Sequence, residues 1–323
     1  MGNLTFASLG RSSVTQVWIS GLRVQNPPNF QITQLSRRTL NCGVKLPPHC
    51  DHRSLETVPL TVMHIMFLRR HNQIVEAFRA ESLPWDDEIL YQEAKRIVIA
   101  ELQHITYNEF LPRVLGVESM NRYGLWPAPG YRDTYNPNVD PRTTSGFSVA
   151  AYRFGHSLVR NVHNQIAPNL LTNSLLLQDH FDRMETHRLP FPGGNTEGFA
   201  RWMKLSRKAG ADRFFVDGLR NNLFPCDNPD CPMGGGHTRT LDLAAVEHTE
   251  GNVHDIDLFT GAMTERRLPG ALVGPTFACI IGQQFSNYKR GDRFFYERDD
   301  PVMAFTPGKL FYSNLIKIKI PVL

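Results

Sequence analysis

The sequence lacks most of the marks that assign a chain to a specialised class. Its five cysteines, Cys42, Cys50, Cys226, Cys231 and Cys279, are few and odd in number, so at least one thiol is free or joined to another chain. They do not by themselves fix a redox compartment. No apolar run approaches the ~20 residues that a membrane-spanning helix needs, and Met1–Gly10 has no basic stretch followed by an apolar block, so neither a membrane span nor a signal peptide is read there. Charge of one sign is missing as well. Lys+Arg 35 against Asp+Glu 31 leaves a net charge of +4, and the arginines are scattered among acids rather than gathered into a stripe, which argues against nucleic acid as a partner. Residues 1–42 contain no histidine, so a histidine acting as general acid or base cannot come from that segment.

What remains is globular. In 323 residues, 41% hydrophobic and 20% charged, there is enough chain for a sizeable core, as one large or two ordinary domains. Thr57 can cap and Val58-Pro59 can open a helix running to about Ala80, with Leu60, Met63, Phe67, Ile74 and Phe78 as its buried stripe. A second long helix is predicted from a cap near Asp87, with Leu90, Ala94, Ile97, Val98, Glu101 and Ile105 on one side, ending toward Pro112 and Gly116. Tyr123 to Thr144 is rich in Pro, Asn and Asp and reads as loop.

A third helix is predicted over Phe147 to Gln165, FSVAAYRFGHSLVRNVHNQ, because Phe147, Ala150, Ala151, Phe154, Leu158, Val159 and Val162 recur at i, i+3, i+4. His156 falls on the neighbouring strip with Val149, Tyr152, Arg153 and Arg160, and Gly155 beside it leaves room for a large flat ligand. A lone histidine on such a helix is more often a core residue satisfied by a carbonyl than a ligand. Further on, Cys226 and Cys231 with Gly234-Gly235-Gly236-His237 form a turn-rich insertion, readable as a loop, a local disulfide or a weak zinc signal. The sequon Asn3-Leu4-Thr5 bears only on a secreted chain.

Several of these passages carry a family resemblance. AYRFGHSLV, with DPRTTSGF just before it, resembles the proximal-histidine helix of the animal haem peroxidases, the group of myeloperoxidase, thyroid peroxidase, peroxidasin and chorion peroxidase. CDHRSLETVPLTVMHIMFLRRHN, the run from Trp85-Asp86-Asp87 through LYQEAKRIVIAELQHITYNEFLP, and WMKLSRKAGADRFFVDGLRNNLF are similar to that family's passages in the same order. The resemblance covers roughly Arg53 to Thr306. It implies a mainly α fold, a helical bundle with long loops and little β, in which 1–42 is an irregular remnant of the distal and calcium region and 43–323 an incomplete peroxidase-like domain.

It also implies a chemistry. His156 is then the axial ligand of the iron of haem b, Arg153 pairs with a haem propionate, Arg53 is the distal arginine, and Glu56 matches the carboxylate that ester-links to the haem periphery. Hydrogen peroxide is the implied oxidant and a small phenolic, tyrosyl or halide compound the donor. An extracellular setting is implied, with matrix proteins among the partners. Departures from the pattern bear on activity. Asp51-His52 stands where the family has Gly-Asp, Leu55 where it has Asn, and no acidic calcium loop is recognisable, which leaves calcium doubtful. Val246-Glu247 passes almost directly to Asn252-Val253, omitting the asparagine that holds the axial histidine's other nitrogen. Turnover is therefore expected to be impaired, and a catalytically inactive scaffold for matrix interaction stands as the alternative.

Overall fold

Helix α1 (Val58–Ala80) opens the part of the chain that the computed structural model describes, namely residues 56–82, 84–181, 191–192, 194–206, 215–220, 222, 256–300 and 304–305. The Thr57 carbonyl receives the Thr61 amide at 3.1 Å, so the helix begins where the Thr-Val-Pro signal places it. Its deepest side chains are Val58, Val62, Ile65, Leu68, Ile74 and Val75. Of the stripe expected from sequence only Ile74 is fully buried, while Leu60, Met63, Phe67 and Phe78 are half-buried. Residues 58–68 are apolar nearly all round, so periodicity could not choose the face.

Helix α2 (Asp87–Ile105) is capped by Asp86, whose carboxylate receives the Ile89 amide at 2.8 Å. Asp87 and Glu88 in the first turn complement the helix dipole. The expected face holds, with Leu90, Ala94, Val98 and Glu101 buried. The helix does not stop at Gly116, however. A π-helical turn (Thr106–Phe110) leads into α3 (Leu111–Arg122), and Gly116 kinks α3 with φ 73°. A Cβ there would stand 2.8 Å from the Pro269 carbonyl oxygen, so both the backbone angle and the close approach require glycine.

Two compact units emerge among the described residues, one formed by 70–153 with the chain from 262 onward, the other by 56–69 and 154–261. In the first, α3 packs along α7 (Pro275–Gly291). That helix has no capping side chain at Gly274. Glu265 takes the role from outside, its carboxylate receiving the Thr276 amide at 2.9 Å. At its C-terminal end lies an ion pair: Lys289 and Glu297, side chains 3% and 1% exposed, face each other at 3.0 Å. Lys289 Nζ also donates to the Trp126 carbonyl at 2.9 Å, and Glu297 Oε1 receives the Ala128 amide at 2.9 Å and the Tyr296 hydroxyl at 3.1 Å. The Tyr296 hydroxyl lies 2.9 Å from His104 Nδ1, and Gln103 reaches Asp292 at 3.2 Å. Burial pushes the Lys289 ammonium down from the usual lysine range, with Glu297 drawing it partly back. A second buried pair, Arg70 forked onto Glu101, ties α1 to α2 within the same unit.

In the second unit, β1 (Val162–Ile166) and β2 (Thr172–Leu176) form an antiparallel hairpin in the register Val162↔Leu176, Asn164↔Ser174 and Ile166↔Thr172. Helix α4 (Asn195–Leu205) lies on β1, and its Phe199 and Ala200 meet Val58 and Val62. Short helices α5 (Asp217–Arg220) and α6 (Leu258–Thr264) complete the described elements. The fold is mainly α, with one two-stranded sheet among the described residues. No helix in them is long and apolar enough to cross a membrane. Residues 1–42 and the Cys226–His237 insertion lie outside the described residues.

Two predictions follow from the buried polar groups. Glu297→Ala leaves a buried ammonium opposite nothing and is expected to lower unfolding free energy by about 3–5 kcal/mol. In urea denaturation, Lys289→Met combined with Glu297→Leu should recover most of that loss. Burial also lowers the His71 and His104 pKa values below 6.5, against smaller raising effects of hydrogen bonds at His71 and of Glu297 and Glu109 at His104. The unfolded chain therefore binds more protons between those lowered values and 6.5, so their contribution is present above 6.5 and lost as pH falls. The urea midpoint should drop between about pH 7.5 and about pH 5.5, and less so in the His71→Gln, His104→Gln double variant.

Candidate active site

The residues that lead into His156 are fixed before the helix begins. Thr144 gives its amide (3.0 Å) and hydroxyl (2.9 Å) to the Gln284 side-chain oxygen on α7, while the Gln284 amide nitrogen donates to the Arg142 carbonyl at 3.0 Å. The Thr143 hydroxyl lies 2.7 Å from the Tyr288 hydroxyl. Gln284 is 2% exposed, so these bonds form where water cannot replace them. Sequence reasoning missed this residue, because an amide in a helix interior carries no periodic or motif signal.

From Gly146 the chain makes a π-helical turn (Gly146–Ala150) and then a 3-10 stretch (Ala151–Leu158). This corrects the expectation of one continuous helix through Val162. The helical stretch ends at Leu158, and Val162 to Ile166 is strand β1. β-branched Val159 and Val162 suit a pleated strand as well as a helix face, and pairing with β2 decides the outcome. Phe147, Ala150, Ala151 and Phe154 are buried as expected, whereas Val162 is exposed.

Tyr152 stacks on Phe147 with ring centroids 4.6 Å apart, and both rings meet Phe285 of α7 at 5.7 and 5.8 Å. Burial, with a smaller contribution from Tyr288, pushes the Tyr152 hydroxyl well above the ordinary phenol range, so it stays protonated. This aromatic block holds the part of the stretch that runs to Arg153.

His156 is half-buried and its carbonyl receives the Val159 amide at 3.3 Å. Gly155 beside it faces open space: among the described residues, an added Cβ would meet no atom within 4 Å. Arg153, three residues earlier on the same stretch, is exposed, and its Nε donates to the Ser148 carbonyl at 3.1 Å. Glu56 is half-buried in the bend that precedes α1. Arg53 and His52 lie outside the described residues. No group of three or more His, Cys, Asp or Glu side chains gathers as a metal site among the described residues. Two further histidines, His163 and His180, are each 2% exposed with ring centroids 4.9 Å apart, and His163 packs on the Trp202 indole at 4.8 Å.

A family model described as animal haem peroxidase matches residues 22–247 and 238–314. The chain belongs to the animal haem peroxidase family. It is 61% identical over 332 aligned residues to a peroxidase-like protein of Margaritifera margaritifera, a match covering 88% of this chain and 41% of that protein. It is 34% identical to a chorion peroxidase of Drosophila melanogaster, covering 80% and 36% respectively. Among solved structures, peroxidase A of Dictyostelium discoideum superposes with TM-score 0.61 at 24% identity, covering 80% of this chain and 55% of that one, a likeness of fold. The chain thus spans about two-fifths of the length of these curated relatives.

Membership implies a haem cofactor, and the residues present are compatible with one. A haem needs a single axial side chain rather than a cluster of ligands, and a half-buried imidazole beside a glycine with open space meets that need. An exposed guanidinium on the same helical stretch suits a carboxylate-bearing edge.

Replacing Gln284 by alanine should loosen this region without unfolding the chain. Losing its bonds to Thr144 and Arg142 is expected to cost about 1–3 kcal/mol. Amide hydrogen exchange at Thr144 should accelerate in Gln284→Ala while α2 keeps its protection.

Proposed function

We propose that this chain is the haem-binding part of a peroxide-dependent oxidoreductase, with His156 as axial ligand and Arg153, Glu56 and Arg53 around the macrocycle. The observation that carries this reading is the half-buried His156 next to Gly155, where an added Cβ would meet no atom of the described residues within 4 Å, within a family match that covers most of the chain. When bound, haem supplies an iron centre at which hydrogen peroxide is reduced at the expense of a donor. The protein's part is to hold, orient and move protons.

His156 gives one ring nitrogen to the metal, and its other nitrogen sets ring orientation and basicity through whatever accepts its proton. The family's asparagine for that purpose is missing from this sequence at Val246–Asn252. Arg153 presents a permanently charged fork to a propionate. Arg53 stabilises negative charge developing on the peroxide oxygens. It stays protonated at ordinary pH and so cannot take the peroxide proton. Residues 1–42 contain no histidine for that transfer, and His52, adjacent to Arg53 in the chain, is not assigned it. Glu56 matches, by resemblance, the carboxylate that would form an ester to the macrocycle. We assign no calcium site. Phenolic, tyrosyl or halide compounds are the donors, and an extracellular setting beside matrix proteins follows the likeness to chorion peroxidases and peroxidasins. A second reading, a scaffold without turnover, is favoured by that same lack of a distal histidine in residues 1–42.

The test is steady-state phenol oxidation by haem-reconstituted protein. General acid–base transfer contributes ~10²–10⁴-fold to an enzymatic rate, and turnover should fall short of a complete relative by a factor in that range. His156→Ala should lose both the Soret band and the residual activity, with free imidazole restoring part of each. Fast turnover that collapses in His52→Ala would overturn the impairment, and wild-type protein that binds no haem would establish the scaffold reading.

A further inference from the structure

In the first unit, on the face of α3, lies a cleft of about 870 Å³ that the haem chemistry does not use. Its lining takes Glu109 from the π-helical turn, Arg113, Val117 and Asn121 from the two sides of the Gly116 kink in α3, the turn at Pro269-Gly270, and Trp126. The volume is that of a small-molecule or short-oligomer site.

This lining is held rigidly. The Pro269 carbonyl approaches Gly116 so closely that any side chain there would collide, and the Leu272 amide donates to the Val114 carbonyl at 3.0 Å. The turn closes on itself through Leu268 N to Val273 O and Ala271 N to Leu268 O, both 3.0 Å, with Gly270 at φ 71°. Trp126 is fixed twice. Its indole N–H donates to Asn121 at 2.8 Å, and its carbonyl accepts from the buried Lys289. The ring is therefore held in place at low further entropic cost on binding.

Asn121 is engaged by the Trp126 indole, and three other polar side chains of the cleft are unspent. Among the described residues Asn108, Arg113 and Glu118 make no side-chain hydrogen bond or ion pair with another residue. Together they offer acceptors from the carboxylates, donors from the guanidinium and both from the amide. Charge is mixed, Glu109 and Glu118 against Arg113, so the cleft has no field to attract a polyanion. It also lacks a feature by which peptides are usually held, since it has one aromatic residue rather than an aromatic-lined groove.

The geometry points to a neutral oligosaccharide as the occupant. Hydroxyls of a sugar both donate and accept, matching the amide, guanidinium and carboxylate groups, while its apolar C–H surface suits the fixed indole and Val117, which is 62% exposed. A cleft of this volume has room for a short oligomer rather than a single ring. The site does not depend on haem or on His156.

Calorimetric titration of the full chain with chitotetraose, maltotetraose, a heparin-derived tetrasaccharide and a proline-rich octapeptide tests this. One neutral tetrasaccharide should bind saturably, the sulfated one should not. Glu118→Gln combined with Asn121→Ala should weaken binding by about tenfold or more, with an unchanged circular dichroism spectrum. Val117→Asp, an exposed change that leaves the core intact, should weaken it as well. No saturable binding of either neutral sugar would overturn the proposal, as would binding that both variants leave unchanged or binding of the peptide or sulfated sugar alone. Haem binding and turnover are read separately, so failure here leaves the peroxidase reading untouched.

Discussion

Lys289 and Glu297 form the contact on which most of the first unit depends. Neither charge reaches water, and in that setting attraction offsets desolvation only when the remaining donors and acceptors are filled. Three groups supply partners directly, the Trp126 carbonyl to Lys289 and the Ala128 amide and Tyr296 hydroxyl to Glu297 Oε1, and Tyr296 in turn meets His104 of α2. The pair therefore ties the last turn of α7 to α2, to the loop after α3 and to the segment that follows α7. With α7 so placed, Gln284 and Tyr288 on its inner face receive Thr143 and Thr144, and the stretch bearing Arg153 starts from a defined point. The start of the stretch bearing Arg153 thus traces back to a buried charge pair far from it in the chain.

The same pair reaches the outer surface through Trp126. A residue whose carbonyl is bonded to a buried ammonium and whose indole is bonded to α3 has little freedom left. The cleft beside it inherits that rigidity, and the Gly116 kink with its close contact to Pro269 supplies the rest. The two regions answer to different requirements. The proposed haem ligation needs one imidazole and open space, whereas the proposed cleft needs fixed walls and polar groups left to bind.

How much of this was legible in the sequence depended on whether the signal was local. The start of α2 was, because Asp86 caps through its own side chain and the acids follow at once. The face of α1 was not, since residues apolar on every side leave the choice to tertiary packing. The end of the His156 stretch was misjudged for a related reason: Val159 and Val162 fit two periodicities, and the partner that decides between them, β2, makes its contribution across a turn. Candidate haem residues His156, Arg153, Glu56 and Arg53 were found through motif resemblance rather than spacing. Gln284, the Lys289–Glu297 pair and the cleft had no sequence signature, since each depends on contacts between residues far apart in the chain. The division into two interleaved units was hidden for the same reason.

The central claim is that one imidazole, placed by this scaffold, holds the iron. Resonance Raman spectroscopy of the ferrous, haem-reconstituted full chain reads that bond directly. The account predicts an iron–histidine stretching band, with one haem taken up per chain, that shifts when histidine is labelled with nitrogen-15. A spectrum of thiolate-ligated iron, or of iron without any protein nitrogen, would contradict it.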